Sequence, residues 1–312
     1  MSGHAPLGPG REFDAIRALL ARWGSRAQSI GDDAALVDVP PGERLVVSVD
    51  TSVEHVHFRR EWLTPEEIGW RATMAALSDL AAMGARPLGL LIALTAPVSW
   101  REDILALGDG IGAAADAAHC PIVGGDLDTG GELSIGLTVL GSAKAPLMRR
   151  GARAGDALWV TGTLGGPAAA LRAWQAGHEP SQAARDRFAR PVARLDIAMS
   201  LADRGCHAAI DISDGLIADA RHLAAASGVA LTIALDAIPV SAGISPPEAA
   251  ASGEEYELLF AAPPSFAAAG CAVEFEIPVT RIGDVAAGPP GVTVTSGGAR
   301  VEFGGGHDHF SE

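Results

Sequence analysis

Lysine is almost absent from this 312-residue sequence, which contains only Lys144. That lysine is followed by Ala-Pro rather than by Ser or Thr, so the chain has no GxxxxGK[ST] phosphate-binding loop. The strand lysine and HRD loop typical of protein kinases are missing as well. If the chain handles nucleotide phosphates, metal ions must therefore neutralise most of their charge.

Cysteine and long apolar segments are also scarce. Cys120, Cys206 and Cys271 are odd in number and far apart, which argues against a disulfide framework or a four-cysteine zinc site. The longest apolar stretch, around PLGLLIALTAPV, is shorter than the ~20 residues that a membrane-spanning helix needs. The opening residues lack the pattern of a secretory signal. We therefore expect a cytoplasmic protein without a membrane partner.

Basic residues are outnumbered by acidic ones. Lys and Arg together number 23 against 38 Asp and Glu, which gives a formal net charge of −15 at pH 7. Because binding to nucleic-acid phosphates requires clustered basic charge, this balance argues against nucleic acid as a partner. With 48% hydrophobic and 20% charged residues, the composition is that of a folded globular protein.

The length of the chain favours two domains of about 150 residues each. The polar, glycine-containing segment RRGARAGD at 149–156 separates the two halves, and a boundary just before it gives domains 1–146 and 147–312. Both halves alternate apolar strand patterns with amphipathic helical patterns. This alternation predicts an α/β (α+β) fold of two mixed α/β domains.

Apolar periodicity places several elements along the chain. It predicts helices over 12–23 and 65–83, the second capped by Thr64, and an arginine-rich helix near 183–204. The segment LVVSVD at 45–50 has the pattern of a strand.

Aspartates recur where predicted strands and loops end. Asp32 and Asp33 are adjacent in GDDAAL with no lysine or arginine within the motif, and Asp79 interrupts an otherwise apolar helix. Acids at strand ends converge on one edge of a sheet, and oxygen ligands without nearby cysteine favour magnesium with phosphate as co-ligand. Aspartate beside glycine is also common in turns, which explains any one motif taken alone, but the recurrence favours a metal site. The aspartates concerned are Asp33, Asp50, Asp79, Asp126, Asp211 and Asp214.

Two further patterns indicate other kinds of site. His55 and His57 in EHVHF, and His307 and His309 in HDHF, are spaced two apart, as zinc ligands on one face of a strand would be. A zinc site usually has a clearer quartet at closer spacing, so zinc is the weaker hypothesis. GTLGG at 162–166 precedes a helix and fits either a phosphate cradle or, more commonly, a plain turn.

A series of motifs resembles the thiamine-monophosphate kinase family, in the same order and over nearly the whole chain. DLAAMGA alone fits the wider superfamily of aminoimidazole ribonucleotide synthetases, selenophosphate synthetases and hydrogenase maturation proteins. VDT followed by HF, with GE(D/E)YEL downstream, is typical of the thiamine enzymes. The motifs are GDDAAL, VDTSVEHVHF, LSDLAAMGA, GGDLD, RRGARAGD, DISDGL, SGEEYELLF and GHDHF.

The resemblance implies a kinase that uses ATP to phosphorylate thiamine monophosphate to thiamine diphosphate, by direct in-line transfer assisted by several Mg²⁺ ions. It also implies a homodimer in which the N-terminal domains pair, with ATP and magnesium between the halves and the C-terminal domain completing the site. The implied metal ligands are Asp33, Ser48, the backbone of Val49, Asp50, Asp79, Asp126, Asp211 and Asp214. The implied ATP contacts are Gly125, Asp126, Arg149 and Ser213, the substrate contacts are His57, Glu254 and His307, and the catalytic residues are Asp50, Asp211 and Arg149.

Two positions depart from the family pattern, and two other functions stay open. Glu255 stands where the family has the Asp of GEDYEL, and His307 stands where it usually has an aromatic ring. The alternatives on the same scaffold are a non-catalytic nucleotide-binding maturation protein and a purine-pathway enzyme. A maturation protein of the superfamily carries a cysteine-containing C-terminal tail, whereas this sequence ends GGGHDHFSE, which favours the kinase.

Overall fold

The structure is a computed structural model that describes His4, Leu7 and residues 9–28 and 30–304. The chain divides into two compact units. The first comprises Met1–Leu80 and Arg86–Lys144, and the second comprises Ala81–Ala85 and Ala145–Glu312. Each unit contains helices and a sheet, which confirms the predicted class of two mixed α/β domains. No described helix is both long and apolar enough to cross a bilayer.

The first unit contains one sheet, as far as its residues are described, with strand order β1-β4-β2-β3. Strands β2 and β3 are parallel, and the other neighbours are antiparallel. The strands are β1 (Arg44–Val53), β2 (Arg86–Ala96), β3 (Ile122–Thr129) and β4 (Ser134–Ala143). The helices are α1 (Arg11–Trp23), α2 (Pro65–Ala82) and α3 (Ile104–Ala117).

The predicted helix starts are confirmed in this unit, but two aspartates lie elsewhere than predicted. Thr64 Oγ1 accepts a hydrogen bond from Glu67 N–H at 3.3 Å, while Glu67 Oε2 accepts one from Thr64 N–H at 2.9 Å, so α2 begins with a capping box.

Strand β1 continues past Asp50, and Asp126 lies within β3. The expectation that a strand or loop ends at each of these two acids was therefore wrong.

The second unit also has one sheet within its described residues, in the order β11-β10-β7-β9-β5-β8-β6. Strands β7 and β10 are parallel, and all other neighbours are antiparallel. The strands are β5 (Ala157–Thr161), β6 (Ala208–Asp211), β7 (Ala230–Ala234), β8 (Leu258–Ala262), β9 (Val279–Ala286), β10 (Gly291–Ser296) and β11 (Ala299–Val301). The helices are α4 (Gly166–Gln175), α5 (Gln182–Ala189), α6 (Leu195–Asp203), α7 (Leu216–Ser227), α8 (Pro246–Ala251) and α9 (Ala268–Phe275).

The single helix predicted near 183–204 is wrong, because the chain forms α5 and α6 there with a break between them. Arg190 adopts φ −131° and ψ 57°, outside the helical region. It precedes Pro191, whose ring disfavours the helical conformation of the residue before it.

Candidate active site

Two neighbouring elements of the first unit, β1 and α2, carry three of the predicted metal ligands, namely Ser48, Asp50 and Asp79. Ser48 Oγ donates a hydrogen bond to Asp79 Oδ2, which joins β1 to α2. Asp50 lies two residues after Ser48, so both side chains leave the same face of the strand. The Val49 side chain points to the opposite face and is 69% exposed, so its backbone alone can serve as a ligand on the Ser48 side.

A cavity of ≈ 340 Å³ lies in the first unit beside two other predicted aspartates, Asp33 and Asp126. Part of its lining is polar, and most of the remaining wall is apolar. A Cβ atom on Gly125 would lie 2.2 Å from the carbonyl oxygen of Ile92, so this position requires glycine. The polar part of the lining includes Glu12, Gly31, Asp32, Asp33, Gly124, Gly125 and Asp126, and the apolar wall includes Phe13, Ile16, Leu20, Ile92, Ile104 and Ile111.

The histidines of EHVHF lie in a turn after β1, not on a strand. His55 has φ 67°, and β1 ends at Val53, so the strand geometry expected for a zinc pair does not occur. His57 Nδ1 accepts a hydrogen bond from Val53 N–H at 3.1 Å. Since Nδ1 is the acceptor, neutral His57 carries its proton on Nε2, which is the donor atom of the ring.

In the second unit, Asp211, Ser213 and Asp214 lie at the junction of β6 and α7. Asp219 Oδ2 accepts hydrogen bonds from the backbone N–H groups of Ser213 and Asp214, both at 3.1 Å. Burial, together with the charges of Asp211 and Asp214, raises the pKa of Asp219 to about 7. The three carboxylates therefore create a concentrated negative potential, which a cation would relieve.

Glu254 is held beside this junction by its backbone. Its N–H donates to the carbonyl oxygen of Ser213 at 2.7 Å. A Cβ atom on the preceding Gly253 would lie 2.7 Å from the same oxygen, so glycine permits the close approach. The fold thus places a predicted substrate contact next to a predicted ATP contact.

Glu255, the departure from the family pattern, points into the protein interior. Its Oε1 accepts a hydrogen bond from Gly165 N–H at 2.6 Å, and Arg187 Nη2 lies 3.3 Å from its Oε2. Burial raises the pKa of Glu255 to about 7. Because the N–H of Gly165 is engaged by Glu255, the structure favours a plain turn over a phosphate cradle at GTLGG.

Glu257 lies in the same buried network and is paired more strongly. Arg194 makes a bidentate contact with its carboxylate, at 2.7 and 2.5 Å, and Arg187 lies 3.1 Å away. Burial would raise the pKa of Glu257, but the contacts with Arg194 and then Arg187 lower it below its usual range. These two glutamates anchor the segment that carries Glu254.

The oxygen donors of the predicted site fit magnesium in their chemistry, since they are carboxylates and a hydroxyl without a thiol. Within the described part of the chain, no three His, Cys, Asp or Glu side chains converge closely enough to hold a metal ion. A magnesium ion at these residues would therefore need further oxygen ligands, such as phosphate.

Comparison with known proteins identifies the family. The family model described as AIR synthase related protein matches twice, with its N-terminal domain at residues 31–143 and its C-terminal domain at 153–295. A thiamine-monophosphate kinase of Salmonella typhimurium (strain LT2) is 35% identical, covering 94% of this chain and 98% of that protein. The chain belongs to the thiamine-monophosphate kinase family.

Solved structures of thiamine-monophosphate kinases agree with this membership. The crystal structure of the enzyme from Stenotrophomonas maltophilia K279a has a TM-score of 0.82 and 37% identity, covering 95% of this chain and 98% of that one. The structure of AaThiL complexed with AMPPCP and TMP has a TM-score of 0.77 and 30% identity, covering 98% and 100%. The resemblance drawn from the motifs is thereby confirmed.

Two of the residues assigned from the thiamine-monophosphate kinase motifs remain to be placed. Arg149 is exposed, and its carbonyl oxygen accepts a hydrogen bond from Ser227 Oγ at 2.8 Å, which fixes its backbone. His307 lies outside the described residues.

Sequence reasoning missed Asp219 and Tyr256, although the repeated acid in DISDGLIAD and the alternation in EEYEL are visible signals.

Proposed function

We propose that this chain transfers the γ-phosphoryl group of ATP to thiamine monophosphate by direct in-line displacement, forming thiamine diphosphate and ADP. The observation that carries the proposal is the 2.7 Å hydrogen bond between Glu254 N–H and the Ser213 carbonyl, which brings predicted substrate and ATP contacts together. The complex of AaThiL with AMPPCP, an ATP analogue, and TMP supports the same pair of ligands.

The chemistry suits the side chains available. An oxygen of the substrate phosphate attacks the γ-phosphorus while the bond to the β–γ bridging oxygen breaks. The attacking oxygen is already anionic, so the reaction needs no strong general base, and charge repulsion is the main obstacle. Arg149 would stabilise charge on the transferring group.

Magnesium, when bound, supplies the charge neutralisation that a chain with one lysine lacks. In the first unit the proposed ligands lie on β1 and α2 and in the lining of the cavity. In the second unit they lie at the junction of β6 and α7. The proposed ligands are Asp33, Ser48, the Val49 backbone, Asp50, Asp79, Asp126, Asp211 and Asp214.

The proposed ligand contacts, which come from the motif resemblance, agree with the local geometry. The apolar walls of the cavity and the backbone at Gly125 suit a nucleoside, and Asp126 also lines the cavity. His57 would donate from Nε2 to the substrate, and Glu254 would accept from it or pair with its positive charge. His307, outside the described residues, stays a proposed third substrate contact.

We also infer that two copies of the chain pair through the first unit. Strand β1 is at the edge of its sheet, and its side chains Leu45, Val47 and Val49 are 51%, 54% and 69% exposed. Val47 pairs with Leu140 of β4, which is itself only partly buried, so the apolar surface continues onto the next strand. An apolar edge strand of this kind is unfavourable in water and suits a second copy as its cover.

The decisive experiment is incubation of the protein with ATP, Mg²⁺ and thiamine monophosphate, followed by chromatographic detection of thiamine diphosphate and ADP. We expect the two products in equal amounts, and none when thiamine replaces thiamine monophosphate. ADP without thiamine diphosphate, or no product at all, would contradict the proposed function.

A further inference from the structure

Tyr256 is the single tyrosine of the chain, and it is 8% exposed. Its hydroxyl donates a hydrogen bond to Oε2 of Glu254 at 3.0 Å. Glu254 is the carboxylate that the proposed function places against thiamine monophosphate. Tyr256 therefore contacts Glu254, a residue proposed to bind the substrate, through its only polar side-chain atom.

The backbone around this pair is in an unfavourable conformation. Glu254 has φ 62° and Tyr256 has φ 53°, in the left-handed region where a Cβ atom crowds the backbone. Residues other than glycine stay there only when their surroundings hold them, and such residues cluster at functional sites. The side chains of Glu254 and Tyr256 meet each other, whereas Glu255 between them is bound in the interior.

Anchors on both sides fix the backbone of Glu254. On one side its N–H is bound to Ser213, and on the other Glu255 is bound by Gly165 N–H and Arg187. The N–H of Tyr256 donates to the Ile212 carbonyl at 2.9 Å. With the backbone held, the orientation of the Glu254 carboxylate depends on its own side-chain torsions, which the Tyr256 hydroxyl restrains.

We propose that Tyr256 is a positioning residue that sets the affinity for thiamine monophosphate by orienting the Glu254 carboxylate. This inference rests on the proposed function, because it takes Glu254 as a substrate contact. Thiamine monophosphate has a permanently cationic thiazolium ring and an aminopyrimidine, and an oriented carboxylate recognises either group. Tyr256 acts through Glu254 and does not itself need to touch the substrate.

The kinetic test is Tyr256→Phe, which removes the hydroxyl and keeps the ring. Loss of this one hydrogen bond, which acts on the substrate only through Glu254, should raise KM for thiamine monophosphate by about three- to tenfold and leave KM for ATP within about twofold. Tyr256→Phe should add nothing in a Glu254→Ala background, whereas a merely structural role would affect both backgrounds equally. Thr73→Val is the control, since it removes a buried hydroxyl, bound to Gly69 O at 2.8 Å, in the other unit.

A spectroscopic readout is independent of turnover. Because the chain has one tyrosine, labelling with 3-fluorotyrosine gives a single ¹⁹F resonance from Tyr256. We expect this resonance to shift on addition of thiamine monophosphate and in Glu254→Ala, but not on addition of an ATP analogue alone.

The two readouts separate failure of this inference from failure of the proposed function. Equal KM for thiamine monophosphate in wild type and Tyr256→Phe, with wild type forming thiamine diphosphate, would overturn the inference alone. If wild type forms no thiamine diphosphate, the proposed function fails and the fluorine signal decides: a resonance that does not move on addition of thiamine monophosphate overturns the inference, and one that moves in wild type but not in Glu254→Ala supports it.

Discussion

Asp50 on β1 and Asp128 on β3 make the same local contact. Asp50 Oδ1 accepts a hydrogen bond from Thr51 N–H at 2.8 Å, and Asp128 Oδ1 accepts one from Thr129 N–H at 2.7 Å. Each bond joins an aspartate to the residue that follows it. Only Asp50 shares a strand face with Ser48, so the two aspartates form a matched pair for mutation.

Asp50→Asn should lower kcat by about 10²-fold or more, because removing one charge-stabilising group from a phosphoryl-transfer site typically costs that much. The free energy of unfolding should change by less than about 0.5 kcal/mol, since the local hydrogen bond can be kept by the amide oxygen. Asp128→Asn, the control, should leave kcat unchanged. Steady-state kinetics and denaturant unfolding measure both quantities, and wild-type turnover in Asp50→Asn at saturating Mg²⁺ would remove Asp50 from the site.

ATP binding should depend steeply on divalent metal. With one lysine in the chain and several site aspartates, calorimetry in EDTA should show affinity at least about tenfold weaker than in Mg²⁺, or about 1.4 kcal/mol. Arg149→Gln should weaken binding in Mg²⁺, whereas the exposed neighbour Arg150 offers a control in Arg150→Gln. Tight binding in EDTA would mean that arginines do the neutralisation assigned here to magnesium.

Glu255 should make the folded state less stable as pH rises. Burial raises its pKa from 4.5 to about 7 in the folded protein, so its stabilising, protonated form is fully present below about pH 4.5 and is lost as pH rises through about 7. The free energy of unfolding should fall over this range by an amount of the order of 3 kcal/mol, at about 1.4 kcal/mol per pKa unit.

The comparison that isolates this effect is Glu255→Gln, which keeps a neutral side chain at every pH. Its free energy of unfolding should decline less than that of wild type between about pH 4.5 and 7, with the remaining decline due to Asp219, whose pKa is also raised to about 7, while the exposed Glu179→Gln should retain the full decline. Parallel curves for wild type and Glu255→Gln would show that Arg187 keeps Glu255 ionised throughout.

The sequence predicts the locally determined features well. The helix α1 follows from apolar periodicity, and the start of α2 follows from Thr64 and the acids after it. Strand β3 was not predicted, because the glycines and aspartates of IVGGDLDT disfavour strands and its pairing with β2 is a tertiary effect.

The same distinction holds for the candidate site. Asp33 and Asp126 are visible as motifs, but the hydrogen bonds of Asp219 and Tyr256 depend on the path of the backbone, including the positive φ of Glu254 and Tyr256, which the residue types do not predict. Glu255 looked like a change in a substrate motif, and its burial against Arg187 and Gly165 shows an interior role instead.

The exposed apolar edge of β1 should hold two copies of the chain together. Val47→Glu places a charge on this edge, where pairing with a second copy would bury it without a partner, so we expect the dimer to dissociate into monomers. Val273→Glu is the matched control, because Val273 is 80% exposed on α9 of the other unit. Sedimentation velocity should give a dimer for wild type and Val273→Glu and a monomer for Val47→Glu. A dimer in all three proteins would place the interface elsewhere, and a monomeric wild type would contradict pairing through β1.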